Sequence, residues 1–219
     1  MITNRTYNVT QIEEPPIARF LFADTRMAWL WLIVRLYVGY EWLTAGWEKM
    51  FGFSIAFGSF GQAVQGGRWI FGAHDGAAIK GFVMGALAKT GGPHPAVQGW
   101  YAWFLQHVVL PYSAPWAYLI TFGEVLVGIG LILGIFTGIA AFFGAVMNAN
   151  YLLAGTVSTN PALLILAVFL VLAWRIAGYL GGDYFVLPAL GTPWRPGMLV
   201  QREQDGYTPM RTPTGAATQ

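Results

Sequence analysis

The chain has no cysteine, which removes disulfides, thiolate-bound iron–sulfur clusters and covalently attached haem together. Charge is nearly as scarce. Lys, Arg, Asp and Glu make up 10% of the 219 residues, against about 25% in an ordinary soluble domain. The three histidines, His74, His94 and His107, all lie outside the long apolar runs. Bis-histidine haem within a membrane helix is thereby excluded, and their spacing suits no metal site. No glycine-rich nucleotide fingerprint follows a strand, and no alternating runs suggest a β-barrel. A net charge of +2, with a pI near 8.9, leaves no basic footprint for nucleic acid. Arg5, Glu13, Glu14, Arg19, Asp24 and Arg26 occupy the stretch where a signal peptide would need an apolar core, so no cleavable signal peptide is expected.

What is present is apolar. Hydrophobic residues account for 56% of the chain and the mean hydropathy is +0.52. Four runs of bilayer length predict an all-α membrane protein, a four-helix transmembrane bundle with spans at about 27–50, 116–135, 139–155 and 162–180. Asp24 and Thr25 offer an N-cap to the first span, and Ser113 with Pro115 and Ser158-Thr159-Asn160-Pro161 open the second and fourth. The short break at Phe136-Thr137-Gly138 makes the second and third spans an antiparallel hairpin. Residues 51–115 form a long outer loop with short amphipathic helices. One lies over 77–89, with Ile79, Phe82, Val83, Ala86 and Leu87 on one side; the other, over 97–113, carries Trp100, Trp103, Phe104, His107 and Val108 at helical spacing. The bias of Lys and Arg toward residues 1–26 and 181–219 places both ends inside a cytoplasmic (inner) membrane, and the tail beyond Gln201 reads as disordered.

Within the first span, RLYVGYEWLTAGWEKM places Arg35, Glu41, Glu48 and Lys49 among apolar residues. Glu48 and Lys49 fall at its outer boundary and read as interfacial anchors. Arg35 and Glu41 lie deeper, where an ionised side chain costs about 2.5–3.5 kcal/mol and needs a partner or a cavity. Glu124 in the second span and Asn148 in the third arrive at similar depth. Arg35 and Glu41 are about 120° apart around the helix, so Glu124 is the expected partner of Arg35, across the bundle. Arg35 and Trp42 share a face. Two readings stay open: a polar cluster fastening the helices, or a buried ligand site such as a quinone pocket or proton path, walled by Trp42, Trp47, Tyr37, Tyr40 and Tyr151.

Three stretches, R-L-Y-V-G-Y-E-W-L-T-A-G-W-E-K, G-E-V-L-V-G-I-G-L-I-L-G-I-F-T-G-I-A-A-F-F-G and S-T-N-P…L-A-W-R-I-A-G-Y, resemble the DoxX/DoxD membrane family over about residues 27–190. The resemblance falls on Arg35, Gly39, Gly46, Lys49, Glu124, Gly128, Asn148, Asn160, Pro161 and Arg175, and departs where relatives often read G-L-D-R and this chain reads Gly181-Gly182-Asp183-Tyr184. It implies a role linked to a diffusible quinone, with thiosulfate as electron donor as in the large subunit of thiosulfate:quinone oxidoreductase, or else an accessory place in a larger membrane complex. On the first implication Glu41 and Glu124 handle protons. Arg35, Trp42, Asn148 and Tyr151 hold the headgroup, and Lys49 and Arg68 attract the anion. No haem, iron–sulfur cluster or metal is expected, and the partners are the lipid bilayer and one or more protein subunits.

Overall fold

A computed structural model describes residues 14–72 and 74–191. These are helical, apart from loops and one isolated antiparallel bridge between Phe53 and Ala63. A short α1 (Pro16–Ala23) leads through a 3-10 turn (Thr25–Met27) into α2 (Ala28–Phe51). Asp24 caps that turn, its carboxylate accepting from Arg26 N at 2.9 Å, so the expected capping residue acts just ahead of the long helix. The loop carries α3 (Ala77–Leu87) and α4 (Gly99–Phe104), the latter prolonged by a π-helical turn over Leu105–Val109. Then come α5 (Ser113–Leu133), α6 (Thr137–Leu153), α7 (Asn160–Leu172), α8 (Trp174–Ala177) and α9 (Asp183–Ala189).

α5 is the one described helix both long and apolar enough to cross a membrane by those criteria; α6 and α7 are shorter apolar helices. α2 has 24 residues but carries four charges. The fourth expected span is shorter than its apolar run, because the α7 helix stops at Leu172 and the chain steps aside at Ala173 before α8. α2 packs along α5, α6 along α7, and each pair touches the other through α5–α6 and α2–α7. Glycines set the closeness of α2 and α5. A Cβ on Gly128 would lie 2.6 Å from Leu43 N, and one on Gly46 would lie 2.9 Å from Val125 N, so the two backbones touch as small residues allow between membrane helices. Outward-facing side chains along these helices, among them Ile33, Leu126, Ile139, Phe142, Phe143 and Ile165, are exposed and apolar. So wide an apolar surface is what a bilayer covers and water does not.

The molecule has a loop end, holding residues 52–112, and a termini end, holding α1, α8 and α9. At the termini end the α5–α6 turn uses left-handed conformations at Gly134 and Phe136. Asp183, though remote in sequence, caps α6 by accepting from Phe136 N at 2.6 Å and Thr137 N at 3.0 Å. In the loop, α3 buries Ile79, Val83 and Ala86, matching the expected face. The 97–113 segment turns Tyr101, Leu105 and Val109 inward. Its Trp100 and Trp103 are exposed, His107 stacking on Trp103 at 5.0 Å. The expected disorder beyond Gln201 falls outside the described residues.

Candidate functional site

The interior stripe of α2 repeats every seven residues: Arg35, Trp42 and Lys49 share one face. The structure partners its two cations differently from the sequence expectation. Arg35, 2% exposed, reaches no carboxylate within bonding distance among the described residues. Its guanidinium donates to Leu131 O at 2.8 Å, Ile132 O at 3.1 Å and Leu180 O at 2.8 Å. Two are carbonyls in the last turn of α5, which helices leave without internal donors, and the third lies in the segment after α8. The expected Arg35–Glu124 pair is therefore corrected. Glu124 lies opposite Gly46, more than two turns of α2 away from Arg35, where the close approach of Gly46 to the Val125 backbone fixes it.

Glu124 instead belongs to Lys49. Lys49 Nζ donates to Oε1 at 2.8 Å and Oε2 at 2.7 Å, and Tyr151 OH donates to Oε1 at 2.5 Å. The carboxylate side chain is 1% exposed and the lysine 18%. Lys49 is thus corrected from an interfacial anchor to the counterion of a buried acid. Its place in the last turn of α2 suits a cation, since helix C-termini carry partial negative charge. Its ammonium also lies 5.0 Å from the Trp69 ring centre. A buried ion pair is tolerable only where further hydrogen bonds satisfy the remaining lone pairs, and Tyr151 supplies one.

The other expected residues divide. Trp42 is buried and stacks on Tyr151, ring centres 6.5 Å apart. Asn148 has no exposure, and neither of its amide atoms finds a partner among the described residues. Glu41 is half-buried, and its side chain makes no hydrogen bond or ion pair among the described residues; it lies about 80° around α2 from Lys49 and does not join the cluster. Arg68 is exposed, its guanidinium donating to Phe71 O at 3.3 Å. Arg175 pairs with Glu14 at 3.4 Å.

Beside Tyr151 an open groove of about 770 Å³ runs along the outer side of the α5–α6 pair for their whole depth, from Leu133 and Phe136 at the termini end to Phe82, Tyr101 and Phe104 at the loop end; exposed Leu126, Ile139 and Phe143 are among its walls. Its walls are apolar, and polar groups gather only at the loop end: Tyr151, Asn150 and Tyr101. Tyr101 OH donates to Asn150 Oδ1 at 3.0 Å, and burial pushes its hydroxyl pKa up to about 12. Among the described residues no group of three or more His, Asp or Glu side chains is placed to hold a metal. Tyr101 and Thr121 were not picked out from the sequence, nor was Asp183 as a helix cap. Asn150 stands out there beside Asn148, at similar depth in the third span, but not as a site residue.

A helical protein sheathed in apolar side chains, with an ion pair folded inside it, is a membrane-associated protein. The chain belongs to the DoxX family, whose model matches residues 30–156, more than half of it. That stretch runs from the third residue of α2 to beyond α6, and so holds Arg35, Trp42, Lys49, Glu124, Asn148 and Tyr151. α7 onward, with Arg175 and Asp183, lies beyond it. No curated protein and no solved structure matches the chain.

Proposed function

We propose that the chain is a four-span inner-membrane subunit that works on a diffusible membrane quinone, α2, α5, α6 and α7 being the spans. Residues 51–115 lie outside, and the 1–26 segment and the 181–219 tail inside. The observation that carries the reading is Glu124, sealed from solvent between Lys49 and Tyr151, with Tyr151 also lining the long apolar groove. A groove of this volume lies within the range that holds ligands. Its shape suits an isoprenoid tail lying along α5 and α6, with the headgroup at Tyr151, Asn150 and Tyr101.

Reducing a quinone to its quinol takes two electrons and two protons. The electrons come from a donor outside this chain, thiosulfate by family resemblance, oxidised with the help of a partner subunit; exposed Arg68 is a basic group placed to meet that anion. Each proton passes from Tyr151 OH to the quinone oxygen, and the tyrosinate left behind is reprotonated by Glu124 once that carboxylate has itself taken up a proton from the loop end beside Lys49. The test is quinone reduction by the full chain with its co-purifying subunits, comparing Glu124→Gln and Tyr151→Phe with the parent. Loss of a positioned proton donor is worth about 100-fold in rate. Unchanged reduction in a complex that assembles normally refutes the proton role.

A second reading, an accessory subunit, is favoured by one observation: Phe57, Phe60, Trp100 and Trp103 stand exposed on the loop end, a surface of the kind a partner covers. On that reading Glu124→Ala lowers abundance of the complex, and the pure protein neither binds nor reduces quinone.

A further inference from the structure

Two tryptophans of α2 are equally buried, each 3% exposed, yet their indoles differ. Trp31 Nε1 donates to Leu21 O at 2.8 Å. Trp42 Nε1 has no partner among the described residues, and neither have both amide atoms of Asn148 and the hydroxyl of Thr121. Polar groups this deep are almost always hydrogen-bonded, to protein or to bound water.

These unpaired groups bracket the ion pair. Thr121 lies one turn from Glu124 on the same face of α5, toward the loop end. On α6, Gly144, Asn148 and Tyr151 form one stripe, and the Trp42 ring meets both ends of it. A Cβ on Gly144 would lie 3.0 Å from Trp42 Nε1, and Tyr151 stacks on the same ring. Asn148 lies between those two positions on the stripe. Toward the termini end the next layer is apolar: Val38, Leu131, Ala141 and Leu170 are buried there and separate these groups from Arg35, one turn further along α2.

We propose that the protein holds a blind hydrated column. Bound water joins Thr121, Glu124, Asn148 and Trp42 Nε1; the column opens at the loop end beside Lys49 and is closed below by Val38, Leu131, Ala141 and Leu170. A buried water needs two to four polar partners, and the column offers them along its length. The charged and titratable groups facing Glu124 are Lys49 from α2 and Tyr151 from α6, with Tyr101 from α4 behind Tyr151. Glu124 therefore exchanges protons with the loop end alone. This assignment goes beyond the redox reading and does not depend on it.

The test is radiolytic hydroxyl-radical footprinting of the full chain in lipid nanodiscs, read by mass spectrometry. Water bound beside a buried side chain generates radicals in place. Trp42 and Tyr151 are expected to be oxidised several-fold more than Trp31, although Trp42 and Trp31 are equally shielded. Thr121→Val combined with Asn148→Leu brings Trp42 down to the level of Trp31; should that pair not fold, Thr121→Val and Asn148→Ala are read singly. Equal oxidation of Trp42 and Trp31 in the parent, or no fall in the folded variants, overturns the column. Its direction is read from exchange with ¹⁸O-labelled water. Trp69→Ala speeds replacement at Trp42 and Val38→Ala does not; the reverse order overturns the blind end. Absent quinone binding with this footprint intact would remove the redox reading and leave the column standing.

Discussion

Arg35→Met isolates what a buried guanidinium does when no carboxylate among the described residues lies within bonding distance. The parent side chain is 2% exposed and donates three hydrogen bonds to carbonyls on two segments. Bonds from a charged donor contribute about 1.5–3 kcal/mol each. Against them stands the desolvation of the guanidinium itself, several kcal/mol, which methionine does not incur. The carbonyls, however, stay buried and lose their donors. A net loss of about 3 kcal/mol follows, at the lower edge of what breaking a buried charged contact costs. For a chain of this size that corresponds to a melting temperature lower by about 6–12 °C, measured by far-ultraviolet circular dichroism in mild detergent. Arg35→Lys falls between, because an ammonium lacks the planar fork that reaches both segments. A methionine variant melting within about 2 °C of the parent would refute the idea that Arg35 ties α5 to the segment after α8.

Other outcomes follow from packing and titration. Gly128→Ala puts a Cβ against the Leu43 backbone and should cost about 1–3 kcal/mol, seen as less folded protein after extraction; Gly123→Ala, meeting only the mobile end of Met147 at 3.5 Å, should be nearly silent. The hydrogen bond from Tyr118 OH, then that from Gly72 N–H, holds the Asp75 carboxyl below the usual carboxylate range. Its contribution to anchoring the loop is therefore complete above the ordinary Asp pKa and is lost as pH falls through the lower folded value. Proteolysis of the 69–76 loop should rise there in the parent, and less so in Tyr118→Phe, which is already loosened at neutral pH. Tyr101, with its pKa pushed up to about 12 by burial, favours the folded state up to the ordinary tyrosine pKa and progressively less above it. An ultraviolet titration should lose one late phenolate step in Tyr101→Phe.

Helix positions were legible because apolar run length and glycine or proline punctuation act locally. The α2 and α6 helices begin and end within two residues of their expected limits, and α3 buries the face its periodicity indicates. The α7 break at Ala173 was not legible, because Leu172-Ala173-Trp174 is as apolar as the helix before it. Pairing across helices was harder still. Lys49 next to Glu48 at a helix end looks like a boundary pair, and only the seven-residue repeat from Arg35 through Trp42 marks it as inward. Glu124 was singled out by the cost of a buried charge, but the choice between Arg35 and Lys49 depends on relative depth. That depth is fixed by Gly46 meeting Val125 and Gly128 meeting Leu43, a contact between backbones that leaves no trace in composition. Asp183 acts 46 residues from Thr137, beyond any capping motif readable along the chain.

The Arg35 contacts also constrain the order in which the protein is built. Its acceptors lie 96, 97 and 145 residues downstream. While the ribosome is making the first helix, none of them exists. On the proposed topology the guanidinium stays at the lipid headgroups or in the insertion machinery until the end of α5 arrives, and its last acceptor exists only when Leu180 has been made. On that topology α2 enters the membrane before α5 but settles only after it. A chain cut short before Leu180 would leave α2 with a charge that the bilayer resists and the bundle cannot complete, an intrinsic mark by which quality control can recognise unfinished copies.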